Sequence, residues 1–186
     1  MKKNRDLLLV IDMQNVYLPE EEWACPTMKE SIKNVRKILD SKTGCEVLFT
    51  QYLPWRHPFG RWEEYNREYR SINENPWLSE ICEDLKPYTD HVPVITKSTY
   101  SSLKAPEVLH AAMRADRLVL SGVVAECCVL ATMMEAVDFG IPVIYLTDCC
   151  SGQTPEKEQR VLGVCDSLSP VHIRMMTSDE YLAEDR

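Results

Sequence analysis

Short apolar runs recur along the 186-residue chain, spaced widely enough to leave room for a helix between each pair. They are LLLVID (7–12), CEVLFTQ (45–51), HVPVIT (91–96), RLVLSG (117–122), PVIYLT (142–147) and VHIRMM (171–176). Most are continuously apolar rather than alternating, the pattern of a strand buried on both faces. Amphipathic stretches separate them, chiefly 27–42, 105–114, 126–139 and 155–167, and 178–184 predicts a short terminal helix. Strands alternating with helices predict an α/β domain. The expected form is a doubly wound three-layer sandwich with a mostly parallel sheet of about six strands, in the order 3-2-1-4-5-6. Residues 1–186 form one such domain, with no internal repeat.

One interval breaks the rhythm. LPWRHPFGRWEEYNREYRSINENP, residues 53–76, is long for a connection in a compact domain and is rich in aromatic residues and Arg. Connections of this length are commonly functional, and part of this one is expected to line a substrate pocket. A subunit contact would use the same residue types.

The charge balance narrows the partners. With 21 Lys and Arg against 29 Asp and Glu, the net charge is -8, which argues against nucleic acid or an anionic membrane. Lys2 and Lys3 precede an apolar run, but Leu7 to Ile11 is too short for the core of a signal peptide and Asp12 ends it. No apolar stretch approaches the roughly 18 residues needed to cross a membrane, so a cytoplasmic protein is expected. Eight cysteines fall at 25, 45, 82, 127, 128, 149, 150 and 165, with no C-x-x-C and no Cys/His pair at zinc-finger spacing. Most are expected to be reduced and to fill the core as small hydrophobes.

Ligands of an open parallel sheet bind beyond the carboxyl ends of its strands. The polar residues expected there are informative. The first strand ends in Asp12, with Gln14 two residues on; the third runs into Lys97 and the segment STYSS; the fourth ends in SGVVAECC at the start of a helix. An acid, an amine and a thiol at one edge suit nucleophilic catalysis. A helix N-terminus and a nearby cation would each lower the pKa of the thiol. Asp12 could take the thiol proton, pass it to a leaving nitrogen and later activate water. Backbone N–H groups of the strand-to-helix turn could hold an oxyanion. No histidine stands at the carboxyl end of a predicted strand: His91 opens the third run, His57 lies in the long connection and His110 is mid-helix. Gln14, Tyr17, Trp55, Arg56, Arg61 and Tyr100 are the candidate substrate-binding residues, Arg being suited to a carboxylate.

At these residues the chain resembles the isochorismatase-like cysteine hydrolases, which include nicotinamidases, carbamoyl amidohydrolases and related amidases. The resemblance runs from LLLVIDMQNVYLP through ITKSTYSSL to LSGVVAECCVLATMMEAVDFGIPVIYLTDCCS. Asp12, Gln14 and Tyr17 match an Asp-x-Gln-x-x-aromatic element. Lys97 and Ser101 match a Lys followed by a Ser-containing loop, and Gly122, Val123, Cys128 and Val129 match a G-V-x-x-x-x-C-V element. The resemblance implies Cys128 as nucleophile, Asp12 as general base and acid, and Lys97 as electrostatic partner. It further implies a cis peptide at Val123–Val124, the N–H groups of Val124 and Cys128 as oxyanion donors, and a homo-oligomer. Ala125 stands where many members have Thr.

Metal-binding nicotinamidases carry Asp-x-His and further histidines after the second strand. TQYLPWRH here holds only His57, so no metal and no other cofactor is expected and nicotinamide is disfavoured. The leading expectation is a metal-independent hydrolase of a C–N bond in a small amide, carbamoyl or imide. A vinyl-ether hydrolase acting on an isochorismate-like acid and a catalytically silent oligomeric module are the alternatives. The two adjacent cysteines cannot both face one pocket, because helical neighbours project about 100° apart; the spacing from Gly122 in the family the chain resembles implies that Cys128 reacts and Cys127 packs.

Overall fold

The computed structural model describes residues 5–41 and 44–184; Lys2, Lys3 and the predicted end of the first helix at residue 42 lie outside them. In chain order the strands are β1 (Asp6–Ile11), β2 (Glu46–Tyr52), β3 (Val94–Lys97), β4 (Arg117–Val123), β5 (Val143–Ser151) and β6 (Ile173–Met176). The principal helices are α1 (Met28–Asp40), α2 (Arg61–Glu68), α3 (Arg70–Asn73), α4 (Pro76–Ser79), α5 (Lys86–Thr89), α6 (Pro106–Arg114), α7 (Leu130–Asp138), α8 (Pro155–Leu168) and α9 (Ser178–Glu184). The six strands form one sheet in the order β3-β2-β1-β4-β5-β6, every pairing parallel.

The continuous apolar run of β1 follows from its central place. Leu8 and Val10 point into one core with Met28, Ile32, Val35 and Ile38 of α1. Leu7, Leu9 and Ile11 point into the other, with Val108 and Ala112 of α6, Met133 of α7 and Val161 of α8. All five β1 side chains are fully buried. Each contributes about 1.5–3 kcal/mol, so two helical layers are secured through a single strand. At the opposite end of the sheet from the site, Arg117 donates to both carboxylate oxygens of Asp6 (2.9 and 2.6 Å), and the Tyr181 hydroxyl donates to Oδ2 (2.9 Å).

Boundaries depart from the sequence reading in informative ways. The third strand begins at Val94 rather than at His91, because Pro93 has no N–H to offer and only four residues pair with β2. β5 continues to Ser151, past the expected end at 147, since Cys150 and Ser151 pair with the end of β4 after a register shift. The helix expected from residue 126 opens instead with a π turn over Ala125–Val129 before α7. The long interval after β2 is not one loop but holds the short helices α2 and α3, with α4 beginning at its last residue.

Gly122 is where the fold meets the site. Its φ is +116°, and a Cβ there would stand 2.1 Å from the Ile11 carbonyl oxygen, inside any contact distance. Only glycine lets the end of β4 press against the end of β1. That contact sets the turn carrying the cysteines beside Asp12.

Candidate active site

Asp12, directly after β1, adopts a left-handed φ of +49°, unusual for a residue with a side chain and a mark of a position the surrounding structure forces. Its N–H is tied to the Thr50 carbonyl (3.1 Å), and Thr50 Oγ1 donates to Oδ1 (2.8 Å). The other oxygen, Oδ2, lies 2.6 Å from Lys97 Nζ and has no further hydrogen bond among the described residues. The carboxylate is thus fixed on one side and keeps acceptor capacity on the other.

Lys97 ends β3, two strands from β1. Its side chain crosses the end of β2, with Nζ 5.8 Å from the centre of the Tyr52 ring. The ammonium also donates to the carbonyls of Thr99 (2.9 Å) and Tyr100 (3.1 Å) and reaches Cys128 Sγ at 3.5 Å. Asp12, Lys97 and Cys128 are 0%, 5% and 3% exposed, so the three groups meet out of bulk water. In that setting their mutual interactions are much stronger than at a surface.

Burial governs the thiol. It pushes the pKa of Cys128 well up, Asp12 adds to the rise, and Lys97 opposes it. Loss of hydration outweighs the nearby cation, so the direction is opposite to the lowering expected from sequence. For Lys97, burial acts downward, but Asp12 and Cys128 outweigh it and the net direction is up.

The turn bearing the thiol is braced from both flanks. Cys127 N and Val129 N both donate to the Val124 carbonyl (3.0 and 3.2 Å), and the Val123–Val124 peptide is cis. Thr132 Oγ1 donates to the Cys128 carbonyl (2.7 Å) and accepts from Ser102 N (2.9 Å), joining the turn to the segment after Lys97. Glu126 Oε1 accepts from Gln153 N (3.2 Å). These contacts secure a turn in which residue 125 is alanine. The adjacent cysteines part company: Cys128 packs with the α6–α8 core, whereas the partly exposed Cys127 packs against the α1 core.

The remaining candidates separate clearly. Tyr17 is buried, and its phenol is pushed well up by burial first and then by Cys128 and Asp12. Tyr100 is 41% exposed, its ring 5.4 Å from Trp62 of α2, and its phenol is raised by burial and then by Cys127 and Cys128. Trp55 lines a cavity of about 260 Å³ together with Lys97, Thr99 and Lys104. Gln14 does not turn toward a pocket: its amide donates to the carbonyls of Tyr52 and Ser79 and accepts from Tyr52 N, so it clamps the ends of strands. Arg56 is exposed, and Arg61, 92% exposed at its side chain, pairs with Glu64 in solvent. Arg56 precedes α2 and Arg61 opens it, a helix with no buried residue.

Thr50, Tyr52, Tyr65 and Thr132 belong to the site's surroundings but were not singled out from sequence. Trp23, Tyr52, Tyr65 and Tyr69 form a ring cluster with centroids 5.2–6.3 Å from Trp23. A polar residue at the end of β2 is visible in the sequence, but only the register pairing Ile11 with Thr50 makes it a neighbour of Asp12. Among the described residues no three His, Cys, Asp or Glu side chains converge in a metal-binding group, and His57 is exposed. The residues present do not fit the divalent ion of the nicotinamidase branch.

A parallel α/β sheet carries an acid, an amine and a thiol together at its carboxyl edge. The chain belongs to the isochorismatase family: the isochorismatase domain matches residues 6–176. It is 27% identical over 163 residues to the isochorismatase of Bacillus subtilis (strain 168), covering 86% of this chain and 52% of that protein. The chain thus spans about half the length of that relative. A cysteine hydrolase from Pseudomonas syringae pv. phaseolicola 1448A superimposes with a TM-score of 0.83 at 18% identity, over 100% of this chain and 94% of the other. N-carbamoylsarcosine amidase from Thermoplasma acidophilum does so with a TM-score of 0.72 at 20% identity, over 94% and 97%.

Proposed function

We propose that this protein is a metal-independent cysteine hydrolase that cleaves a C–N bond of a small amide, carbamoyl or imide substrate. The observation that carries the reading is the buried meeting of Lys97 Nζ with Asp12 Oδ2 (2.6 Å) and Cys128 Sγ (3.5 Å). Asp12 Oδ2 takes the thiol proton as Sγ bonds to the substrate carbonyl carbon, and Lys97 stabilises the sulfur anion as it forms. The tetrahedral oxyanion is held by the N–H groups of Val124 and Cys128. Asp12 then gives its proton to the nitrogen, the C–N bond breaks, and an acyl thioester with Cys128 remains. A water molecule, deprotonated by Asp12, attacks the thioester carbon. Sulfur leaves, is reprotonated, and the acid product departs.

The protein acts on a small molecule, needs no cofactor, works in the cytoplasm and assembles as a homo-oligomer. Among the described residues no helix is long and apolar enough to cross a membrane. The test is a panel of primary amides and ureides assayed for ammonia release, with mass spectrometry of the stalled enzyme. Ammonia release with an acyl adduct on Cys128 is expected; hydrolysis of a vinyl ether without any ammonia-releasing activity would overturn the reading.

A further inference from the structure

We propose that the hydroxyl of Tyr52 is a substrate-recognition group, donating a hydrogen bond to an acceptor atom of the substrate beside the scissile bond. The inference rests on the hydrolase reading above. Tyr52 ends β2, is 7% exposed, and its Oη is buried with no hydrogen-bond partner among the described residues. Two other phenols are paired: Tyr181 Oη donates to Asp6 and Tyr88 Oη to Asp40. A buried hydroxyl without a partner lowers stability, and phenylalanine would fill the same volume without that penalty. The hydroxyl therefore has no role in holding the free protein together.

Its position indicates what it is for. The ring faces the Lys97 ammonium at 5.8 Å, and burial, followed by Tyr100, Cys128 and Asp12, holds the phenol in its protonated form. A protonated phenol is a donor. The backbone that carries the ring is held in place, since Gln14 accepts from the N–H of Tyr52 (2.8 Å) and donates to its carbonyl (2.9 Å). Rigid placement next to the reacting groups is what a recognition contact requires. The hydroxyl bonds to no acceptor among the described residues, Asp12 included, which leaves an acceptor on the substrate, a carbonyl, ether or ring nitrogen, as the matching partner. Gln14, expected to touch substrate, becomes the residue that aims Tyr52.

The test is Tyr52→Phe, compared with wild type in thermal unfolding and in steady-state kinetics on whichever amide of the panel the wild type hydrolyses. The melting temperature is expected to stay the same or rise, while KM rises about tenfold and kcat changes little. A melting temperature several degrees lower would show that the hydroxyl supports the fold and would overturn the proposal. Unchanged kcat/KM would overturn it as well, with the hydrolase reading intact. A wild type that releases ammonia from no member of the panel would instead remove the hydrolase reading, and this inference with it.

Discussion

Thr50 Oγ1 donates a 2.8 Å hydrogen bond to Asp12 Oδ1, from a residue with no accessible surface. The bond fixes which carboxylate oxygen is left for Lys97 and the thiol. Thr50→Val keeps the shape and removes the donor, so kcat is expected to fall about ten- to a hundredfold through misorientation of the base. Thr50→Ser should retain most of it. Full activity in the valine variant, measured by ammonia release, would mean that Asp12 is held without help from Thr50.

The two neighbouring thiols face different layers, and their variants should differ accordingly. Cys128→Ser is expected to lose nearly all turnover, as a hydroxyl ionises far less readily than a thiol. Cys127→Ser should turn over at a rate close to wild type. Asp12→Asn and Lys97→Ala should each abolish most turnover and still melt cooperatively. Retained activity in Cys128→Ser would reassign the nucleophile.

No metal-binding group is assembled from the described residues. Exhaustive EDTA treatment is therefore expected to leave the rate unchanged. Loss of activity with recovery on adding a divalent ion would contradict the proposed chemistry.

Stability should decline on the alkaline side. Burial raises the thiol pKa of Cys165 to about 11 and of Cys82 to about 12, and pushes Cys25, Cys149 and Cys150 up as well. The unfolded chain releases these protons near pH 9, the ordinary thiol value. Below that pH both states hold the protons and the stability is fully present. Above it the unfolded state binds fewer protons, so stability falls as pH rises through the folded values. Urea midpoints taken from about pH 8 to pH 11 should drop progressively. A flat profile would refute the burial of these thiols.

Arg117 neutralises Asp6 where both are largely buried, at 17% and 6% side-chain exposure. Arg117→Leu leaves a buried carboxylate without its cation and is expected to cost about 3 kcal/mol in urea denaturation. Adding Asp6→Leu should recover part of that loss, since the unpaired charge is then gone. A double variant no more stable than the single one would place the cost in packing instead.

The sequence by itself determined the fold class, because a run such as LLLVI has to be covered on both faces and the spacing of such runs leaves a helix between them. It also placed Asp12, Lys97 and a pair of cysteines at or just past strand ends, and the resemblance in spacing from Gly122 singled out Cys128. What it could not determine were relations across strands. The partnership of Thr50 with Asp12 depends on parallel register, and a shift of one residue would turn Thr50 to the other face. The diversion of Gln14 from substrate to Tyr52, and of Arg56 and Arg61 to solvent, depends on where the segment after β2 folds back. The direction in which the Cys128 pKa moves is also tertiary in origin: a helix terminus and a cation are visible in the chain, but the extent of burial is not, and here burial decides the direction.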